Sequence, residues 1–130
     1  MKRVLVVDDN LINLKLACDI LESENFEVIR ATSADEAIAI LEEAIPDLVL
    51  LDIGMPGMDG YMLTRKLKSL EKTRDLKIVA LTASAMKGDD VKAYEAGFDG
   101  YLTKPIDTRN FASSVSKFIN SEKSNKRYKK

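Results

Sequence analysis

The stretches VLVVDD at residues 4–9 and LVLLD at residues 48–52 decide the fold, because each is a continuous apolar run that stops at aspartate. Two further runs end in the same way. IVALT at 78–82 ends at Thr82, which carries a hydroxyl, and YLT at 101–103 is followed by Lys104. Continuous apolar runs of this length are typical of strands in a parallel sheet covered on both faces. Such sheets bind ligands at the carboxyl ends of their strands, so the polar stops are predicted to meet in one crevice.

Length and composition are those of an ordinary globular protein. The 130 residues fit one domain, which we place at 1–120, followed by a basic tail at 121–130 that is expected to be disordered. The alternative for the tail is a weak electrostatic contact with an acidic partner or a membrane. A net charge of −1 creates no global field that would favour nucleic acid. No apolar run can span a bilayer and no signal peptide is recognisable, which predicts a cytoplasmic protein.

The absence of histidine excludes several kinds of site. Without His, and with Cys18 as the only cysteine, neither a structural zinc site nor a Ser-His-Asp triad can form. Only hard oxygen ligands remain to cluster, which favours Mg²⁺ or Ca²⁺. The chain also cannot carry a phosphohistidine of its own. Cys18 lies within a helical pattern and is predicted to be a buried small hydrophobe rather than a reactive thiol.

Strand and helix patterns alternate along the chain, as they do in repeated βαβ units. Beside the runs above, a second strand is predicted over 27–31. Helices are predicted between Asn10 and Asn25, after the capping box SADE at 33–36, over 61–70, over 84–96, and after a cap at Asp107 or Thr108. Five strands and five helices in alternation predict a doubly wound α/β fold with a five-stranded parallel sheet, for which we expect the order 2-1-3-4-5, one of two common solutions. The switch point of that order lies between strands one and three, which end in the aspartates.

The polar stops together describe a site for a cation and a phosphoryl group. Asp8, Asp9 and Asp52 would repel one another, by roughly 4 kcal/mol for two charges about 4 Å apart at an intermediate dielectric. Mg²⁺ relieves such repulsion, binds one or two carboxylates and bridges to phosphate oxygens. Asp52, alone at the end of a central strand, is the candidate nucleophile for an aspartyl phosphate. Lys104 can neutralise one phosphoryl oxygen, and the Thr82 hydroxyl can donate to another.

Each of these residues also has a purely structural explanation. An aspartate after a strand commonly caps a helix, and Asp9 alone would be interpreted that way. Thr82 could cap the helix that begins near Ser84, and Lys104 could be a solvated surface lysine. The functional interpretation therefore depends on all of them falling at strand ends in one crevice.

The dispersed motifs resemble those of the receiver domain of bacterial two-component response regulators. The matching strings are VVDDN at 6–10, DIGMPGMDG at 52–60, LTA at 81–83 and KP at 104–105. The resemblance covers residues 2 to about 120, and it implies the flavodoxin-like (βα)5 receiver fold. It further implies that Asp52 is the phosphoacceptor. Asp8 and Asp9 would hold Mg²⁺ together with Asp52, and the backbone carbonyl of Gly54 would complete the protein ligands.

The resemblance also implies a switch. Thr82 and Tyr101 match the family's switch pair, and Lys104 matches its phosphate-binding lysine, joined to Pro105 by a cis peptide. A phosphohistidine on a sensor histidine kinase or a histidine phosphotransfer protein would donate to Asp52. Thr82 would then move toward the phosphoryl group and Tyr101 would rotate inward. As an alternative, Tyr101 is an ordinary aromatic residue of a half-buried strand.

The rotation of Tyr101 would change the output face, which comprises the predicted helix over 84–96, the fifth strand and the last helix. The resemblance implies a stand-alone receiver that controls a downstream protein target through this face, or passes phosphate on, without binding DNA. It would catalyse only its own phosphorylation and dephosphorylation. ALTASAMKGD at 80–89 is most similar to the DivK-type single-domain regulators. The resemblance also allows a homodimer that forms on phosphorylation.

Two other functions remain as alternatives. One is a Mg²⁺-dependent phosphatase or phosphotransferase that acts on a small molecule through an aspartyl phosphate. The haloacid-dehalogenase family, which works in this way, has a second catalytic acid two residues after its nucleophile, where this chain has Gly54. The other is a scaffold with the same fold that works without phosphorylation, although every site residue is intact.

Overall fold

The sheet consists of β1 (Arg3–Val7), β2 (Glu27–Ala31), β3 (Leu48–Asp52), β4 (Ile78–Thr82) and β5 (Gly100–Thr103). All neighbouring strands are parallel, and their order is β2-β1-β3-β4-β5. The computed structural model describes residues 1–53, 60–82, 95–103 and 108–120. The predicted doubly wound sheet and its strand order are therefore confirmed.

The helices within those ranges are α1 (Leu11–Ser23), α2 (Ala34–Glu43), α3 (Gly60–Ser69) and α4 (Phe111–Asn120). The predicted helix over 84–96 falls outside the described residues except for 95–96, which are helical. The predicted last helix is thus the one labelled α4. Within 1–53, 60–82, 95–103 and 108–120, no helix is long and apolar enough to cross a membrane.

The ends of α1 follow from two asparagines, as predicted. The Asn10 side chain accepts hydrogen bonds from the backbone N–H groups of Ile12 and Asn13, both at 3.0 Å. At the other end Asn25 adopts a left-handed conformation with φ of 71°, which Asn tolerates better than most residues. The backbone N–H of Phe26 then donates to the Leu21 carbonyl at 3.0 Å, which closes a Schellman turn.

The start of α2 is a variant of the predicted capping box. Ser33 Oγ accepts from the Glu36 backbone N–H at 3.1 Å, as expected. The returning Glu36 carboxylate, however, accepts from the backbone N–H and the hydroxyl of Thr32, at 2.6 and 2.9 Å, rather than from Ser33. The hydrogen bond from the Thr32 backbone is the main reason why the pKa of Glu36 lies below its usual range. The Glu36 carboxylate thus connects the residue that follows β2 to the first turn of α2.

Apolar side chains cover both faces of the sheet. Alternate strand residues point to opposite sides, so each buried run contributes to two clusters. The cluster under α2 and α3 takes Leu5, Val7, Val49, Leu51, Ile78 and Ala80 from the strands. The cluster under α1 and α4 takes Val4, Val6, Leu48, Leu50, Val79 and Leu81. This two-sided burial is why the strands are continuous apolar runs rather than alternating ones.

Cys18 is fully buried in the cluster under α1 and α4, which confirms its predicted role as a small core hydrophobe. Burial raises the pKa of its thiol from 9.0 to about 11, against the opposing effect of the Arg30 cation. The neutral thiol is the form that the fold favours. Its contribution to stability is therefore complete below pH 9 and is lost as the pH rises through about 11.

A buried ion pair joins α3 to the turn before β5. Lys68 Nζ donates to Asp99 Oδ2 at 3.1 Å and to the Leu76 carbonyl at 2.8 Å. The same Asp99 oxygen accepts from the Ile78 backbone N–H at 2.7 Å. The side chains of Lys68 and Asp99 are only 21% and 6% exposed, so solvent screens their charges weakly. The pair fixes the amino ends of β4 and β5 against α3.

We expect Lys68→Met to lower the free energy of unfolding by roughly 3 kcal/mol, because Asp99 would be left buried without its counter-charge. Urea titration followed by circular dichroism measures this change. Lys66→Met is the matched control, since Lys66 is an exposed lysine of the same helix. Equal losses in the two variants would show that the ion pair contributes nothing specific.

Candidate metal centre

Three carboxylates meet at the carboxyl ends of β1 and β3. Asp8 and Asp9 follow β1 directly, and Asp52 is the last residue of β3. Because Val7 pairs with Leu51, the two strands deliver these residues at nearly the same height. One carboxylate oxygen from each residue lies within 4.8 Å of those from the other two. The predicted convergence of the acidic stops is therefore observed.

The three aspartates differ in exposure. Asp8 is 1% exposed, Asp52 is partly buried and Asp9 is exposed. Asp8 Oδ1 accepts from the Asn10 backbone N–H at 2.9 Å, and the Asp8 backbone N–H donates to the Ala31 carbonyl at 3.1 Å. Asp8 is thereby held in one orientation by the turn that starts α1. Burial of a carboxylate beside two others is costly unless a cation compensates it.

The donor set fits a hard divalent cation. All three donors are carboxylate oxygens, the ligands preferred by Mg²⁺ and Ca²⁺, and they lie within 4.8 Å of one another, close enough to share one cation. One side of the cluster is exposed through Asp9, which leaves room for the waters that Mg²⁺ retains. Asp8, Asp9 and Asp52 are thus the residues that could hold the ion.

Thr82 and Tyr101 lie on the strands beyond β3. Thr82 is the last residue of β4, and the pairing of Asp52 with Leu81 places it at the same edge as the carboxylates. The Ile53 backbone N–H donates to the Leu81 carbonyl at 3.1 Å, which continues the pairing past Asp52. Tyr101 of β5 pairs with Ala80 of β4, is half-buried and packs against the cluster under α2 and α3. That position suits a switch residue and an ordinary strand aromatic equally.

Three predicted participants fall outside the described residues. They are Gly54 with its carbonyl ligand, Lys104, and Pro105 with the cis peptide. Their assigned parts in the site remain predictions from the sequence.

Sequence reasoning missed an apolar surface on α1 beside the cluster. Leu11 and Ile12 are 69% and 79% exposed, and Leu16 is 38% exposed. The residues that α1 buries are Leu14, Ala17, Cys18 and Leu21. The signal in the sequence was the presence of large apolar residues out of phase with that buried stripe.

Comparison with known proteins gives the class of this chain. The response regulator receiver domain model matches residues 4–116, so the chain belongs to the receiver family. It is 37% identical to the polar-differentiation response regulator DivK of Brucella ovis over 118 residues, which cover 91% of this chain and 96% of that protein. The predicted resemblance to receivers, and to DivK among them, is confirmed.

Solved structures agree with the family. A response regulator from Chloroflexus aurantiacus superposes with a TM-score of 0.87 at 29% identity, covering 92% of this chain and 98% of that one. The receiver domain of the sensor histidine kinase PA1611 from Pseudomonas aeruginosa superposes with a TM-score of 0.83 at 31% identity, covering 92% and 98%. In that receiver a magnesium ion is coordinated in the active-site cleft.

We expect Asp9→Asn to raise the free energy of unfolding without metal by on the order of 1 kcal/mol, because it removes one of three mutually repelling charges. Urea titration in EDTA measures this gain. Millimolar Mg²⁺ should raise the melting temperature of the wild type, and raise that of the variant less.

Glu71→Gln is the control for the loss of one negative charge, since Glu71 is an exposed acid in the connection between α3 and β4. If Asp9→Asn is destabilised in EDTA, Asp9 acts as a structural cap instead. If Mg²⁺ shifts neither melting temperature, the cluster does not bind the ion.

Proposed function

We propose that this chain is a phosphoaccepting receiver of a two-component phosphorelay, with Asp52 as the acceptor. The observation that carries the proposal is the convergence of the Asp8, Asp9 and Asp52 carboxylates within 4.8 Å in a chain of the receiver family. The donor would be a phosphohistidine on a sensor histidine kinase or a histidine phosphotransfer protein. The chain is a signalling protein that would catalyse only its own phosphorylation and dephosphorylation.

The reaction is a transfer of the phosphoryl group from nitrogen to oxygen. An Asp52 carboxylate oxygen would attack phosphorus, an acyl phosphate O–P bond would form, and the N–P bond would break with its electron pair going to the imidazole. Asp8 and Asp9, with Asp52 and the Gly54 carbonyl, would hold Mg²⁺, which when bound neutralises charge on the phosphoryl oxygens. Asp8 is best placed to orient this set, since the Asn10 backbone N–H fixes its carboxylate.

Two further side chains would bind the transferred group. The Thr82 hydroxyl would donate to one phosphoryl oxygen from the end of β4, and the Lys104 ammonium would neutralise another. Movement of Thr82 would let Tyr101 rotate inward and would change the output face. That face would bind a downstream protein or control passage of the phosphate, without contact to DNA. A phosphorylation-dependent homodimer through it is one form that the response could take.

We place the receiver at 1–120, with 121–130 as a separate basic tail, and we propose that the protein works in the cytoplasm. The match over 4–116 supports the boundary of the folded unit.

The exposed apolar residues of α1 support a protein as the donor rather than a small molecule. Leu11 and Ile12 directly follow the carboxylate cluster, and Leu16 continues their surface one turn later. A group of large apolar side chains left in water next to a reactive carboxylate indicates contact with another protein. A small phosphate ester would gain nothing from this surface.

Acetyl phosphate and Mg²⁺ should add one phosphoryl group to the wild type and none to Asp52→Asn, as measured by intact mass. The amide of the variant cannot form the acyl phosphate. Asp47→Asn is a control for loss of a carboxylate at the opposite edge of the sheet, where Asp47 accepts from the Arg3 backbone N–H at 2.8 Å. An adduct that persists in Asp52→Asn would place the acceptor on another residue.

Ile12→Glu should slow phosphotransfer from a histidine kinase that phosphorylates the wild type by roughly tenfold, while leaving the rate with acetyl phosphate unchanged. The reason is that only a protein donor must cover the α1 surface. Radiolabel transfer measured at several donor concentrations separates weaker docking from slower chemistry. Leu70→Glu, at an exposed apolar residue following α3, is the control. Equal rates for both donors in Ile12→Glu would show that α1 is not part of the docking surface.

A further inference from the structure

The side chain of Lys77 joins the amino end of β4 to the carboxyl end of α4. Its Nζ donates to the carbonyls of Phe118 and Ile119 at 3.0 and 2.8 Å. Lys77 is itself fixed in the sheet, because its own carbonyl accepts from the Val49 backbone N–H at 2.9 Å. The connection therefore runs from a rigid point of the sheet to the last turn of a surface helix.

The chemistry of a helix end makes this contact favourable. The last carbonyls of an α-helix have no partners within the helix, and they carry the negative end of its dipole. A lysine ammonium satisfies both conditions, since it brings a positive charge and several donors. Lys77 is partly buried, so water competes with these hydrogen bonds less than it would at an open surface.

The ring of Phe118 makes a second contact, with the backbone of β5. A Cβ placed on Gly100 would overlap that ring, so only glycine allows Phe118 to lie directly on the backbone of β5. Gly100 pairs with Val79 of β4 and is followed by Tyr101. The carbonyl of Phe118 is thus bound to the end of β4, and its ring lies on β5 at Gly100, on the face of the sheet opposite to the one that Tyr101 packs against.

We propose that Lys77 is a positioning residue of the output face, which makes the carboxyl end of α4 a fixed pivot. The other end of β4 is Thr82, so one strand connects the predicted switch hydroxyl with the pivot. Within α4, rearrangement on phosphorylation is then confined to the first turns, near Phe111. That this surface is an output face rests on the function proposed above. The tether, which is the contact of Lys77 with the end of α4, does not depend on that function.

The chain offers a matched comparison in Lys72. Its Nζ donates to the Glu42 carbonyl at the end of α2, the same kind of contact made to a helix outside the output face. Lys72→Met and Lys77→Met remove the same charge and keep a side chain of similar length. A local effect of each tether should appear at the helix that the lysine contacts and not at the other.

The experiment is amide hydrogen exchange on the full chain, read by mass spectrometry with and without acetyl phosphate and Mg²⁺. We expect Lys77→Met to speed exchange of the last turn of α4 by about tenfold, because charge-assisted hydrogen bonds to that turn are lost. Lys77→Arg should restore most of the protection. Lys72→Met should speed exchange at the end of α2 and leave α4 unchanged.

Acetyl phosphate provides the second measurement. In the wild type it should alter exchange near Phe111 but not at 117–120, and in Lys77→Met the change should extend to 117–120. The adduct, measured by intact mass in the same samples, should form at equal rates in both proteins.

Unchanged exchange at 117–120 in Lys77→Met, or an equal effect from Lys72→Met, would overturn the proposal. So would a wild type whose last turn responds to acetyl phosphate as strongly as its first. If the wild type gains no adduct, the proposed function fails, and the comparison without acetyl phosphate still decides whether the tether exists.

Discussion

The parallel pairing of β1 with β3 is the constraint on which the rest of the structure depends. Val7 lies opposite Leu51, so the residues that follow arrive together at the carboxyl edge. Both strands are buried on both faces, and neither can shift without exposing apolar side chains. The core therefore holds Asp8 and Asp52 close together against their mutual repulsion. The consequence is a site that attracts a divalent cation, and binding of the cation would offset the repulsion between the carboxylates.

The two edges of the sheet differ in charge for a common reason. Helices in this fold run opposite to the strands, so their amino ends lie near the carboxylates and their carboxyl ends lie at the other edge. The positive end of α1 favours anions where phosphate would bind. At the other edge, Lys72 and Lys77 satisfy the negative ends of α2 and α4, while Lys68 neutralises Asp99. The last turn of α3 and its connection to β4 thus anchor the fold away from the site.

Fold and site were predictable from the sequence to different extents. The five strands followed from the apolar runs, their order was chosen from two common solutions, and the Asn10 and Asn25 ends of α1 followed from local capping chemistry. The meeting of Asp8, Asp9 and Asp52 followed from the rule that strand ends share an edge. The capping box at Ser33 was correct, but its carboxylate bonds one residue earlier than predicted, because that detail depends on how the entering strand bends. The exposure of Ile12 was missed, since hydrophobicity alone does not distinguish a core residue from an exposed one.

The sequence by itself determined the pattern that repeats: buried strands, amphipathic helices and acidic stops at strand ends, all of which are local and periodic. Only the tertiary structure decided which distant side chains meet. Lys68 and Asp99 are 31 residues apart in the chain, and Lys77 reaches carbonyls 41 and 42 residues away. The sequence of a connecting segment is the same whether the side chain of its lysine is solvated or bound to a helix end. Its role appears only when packing brings the two elements within reach, because such contacts depend on geometry rather than on spacing in the chain.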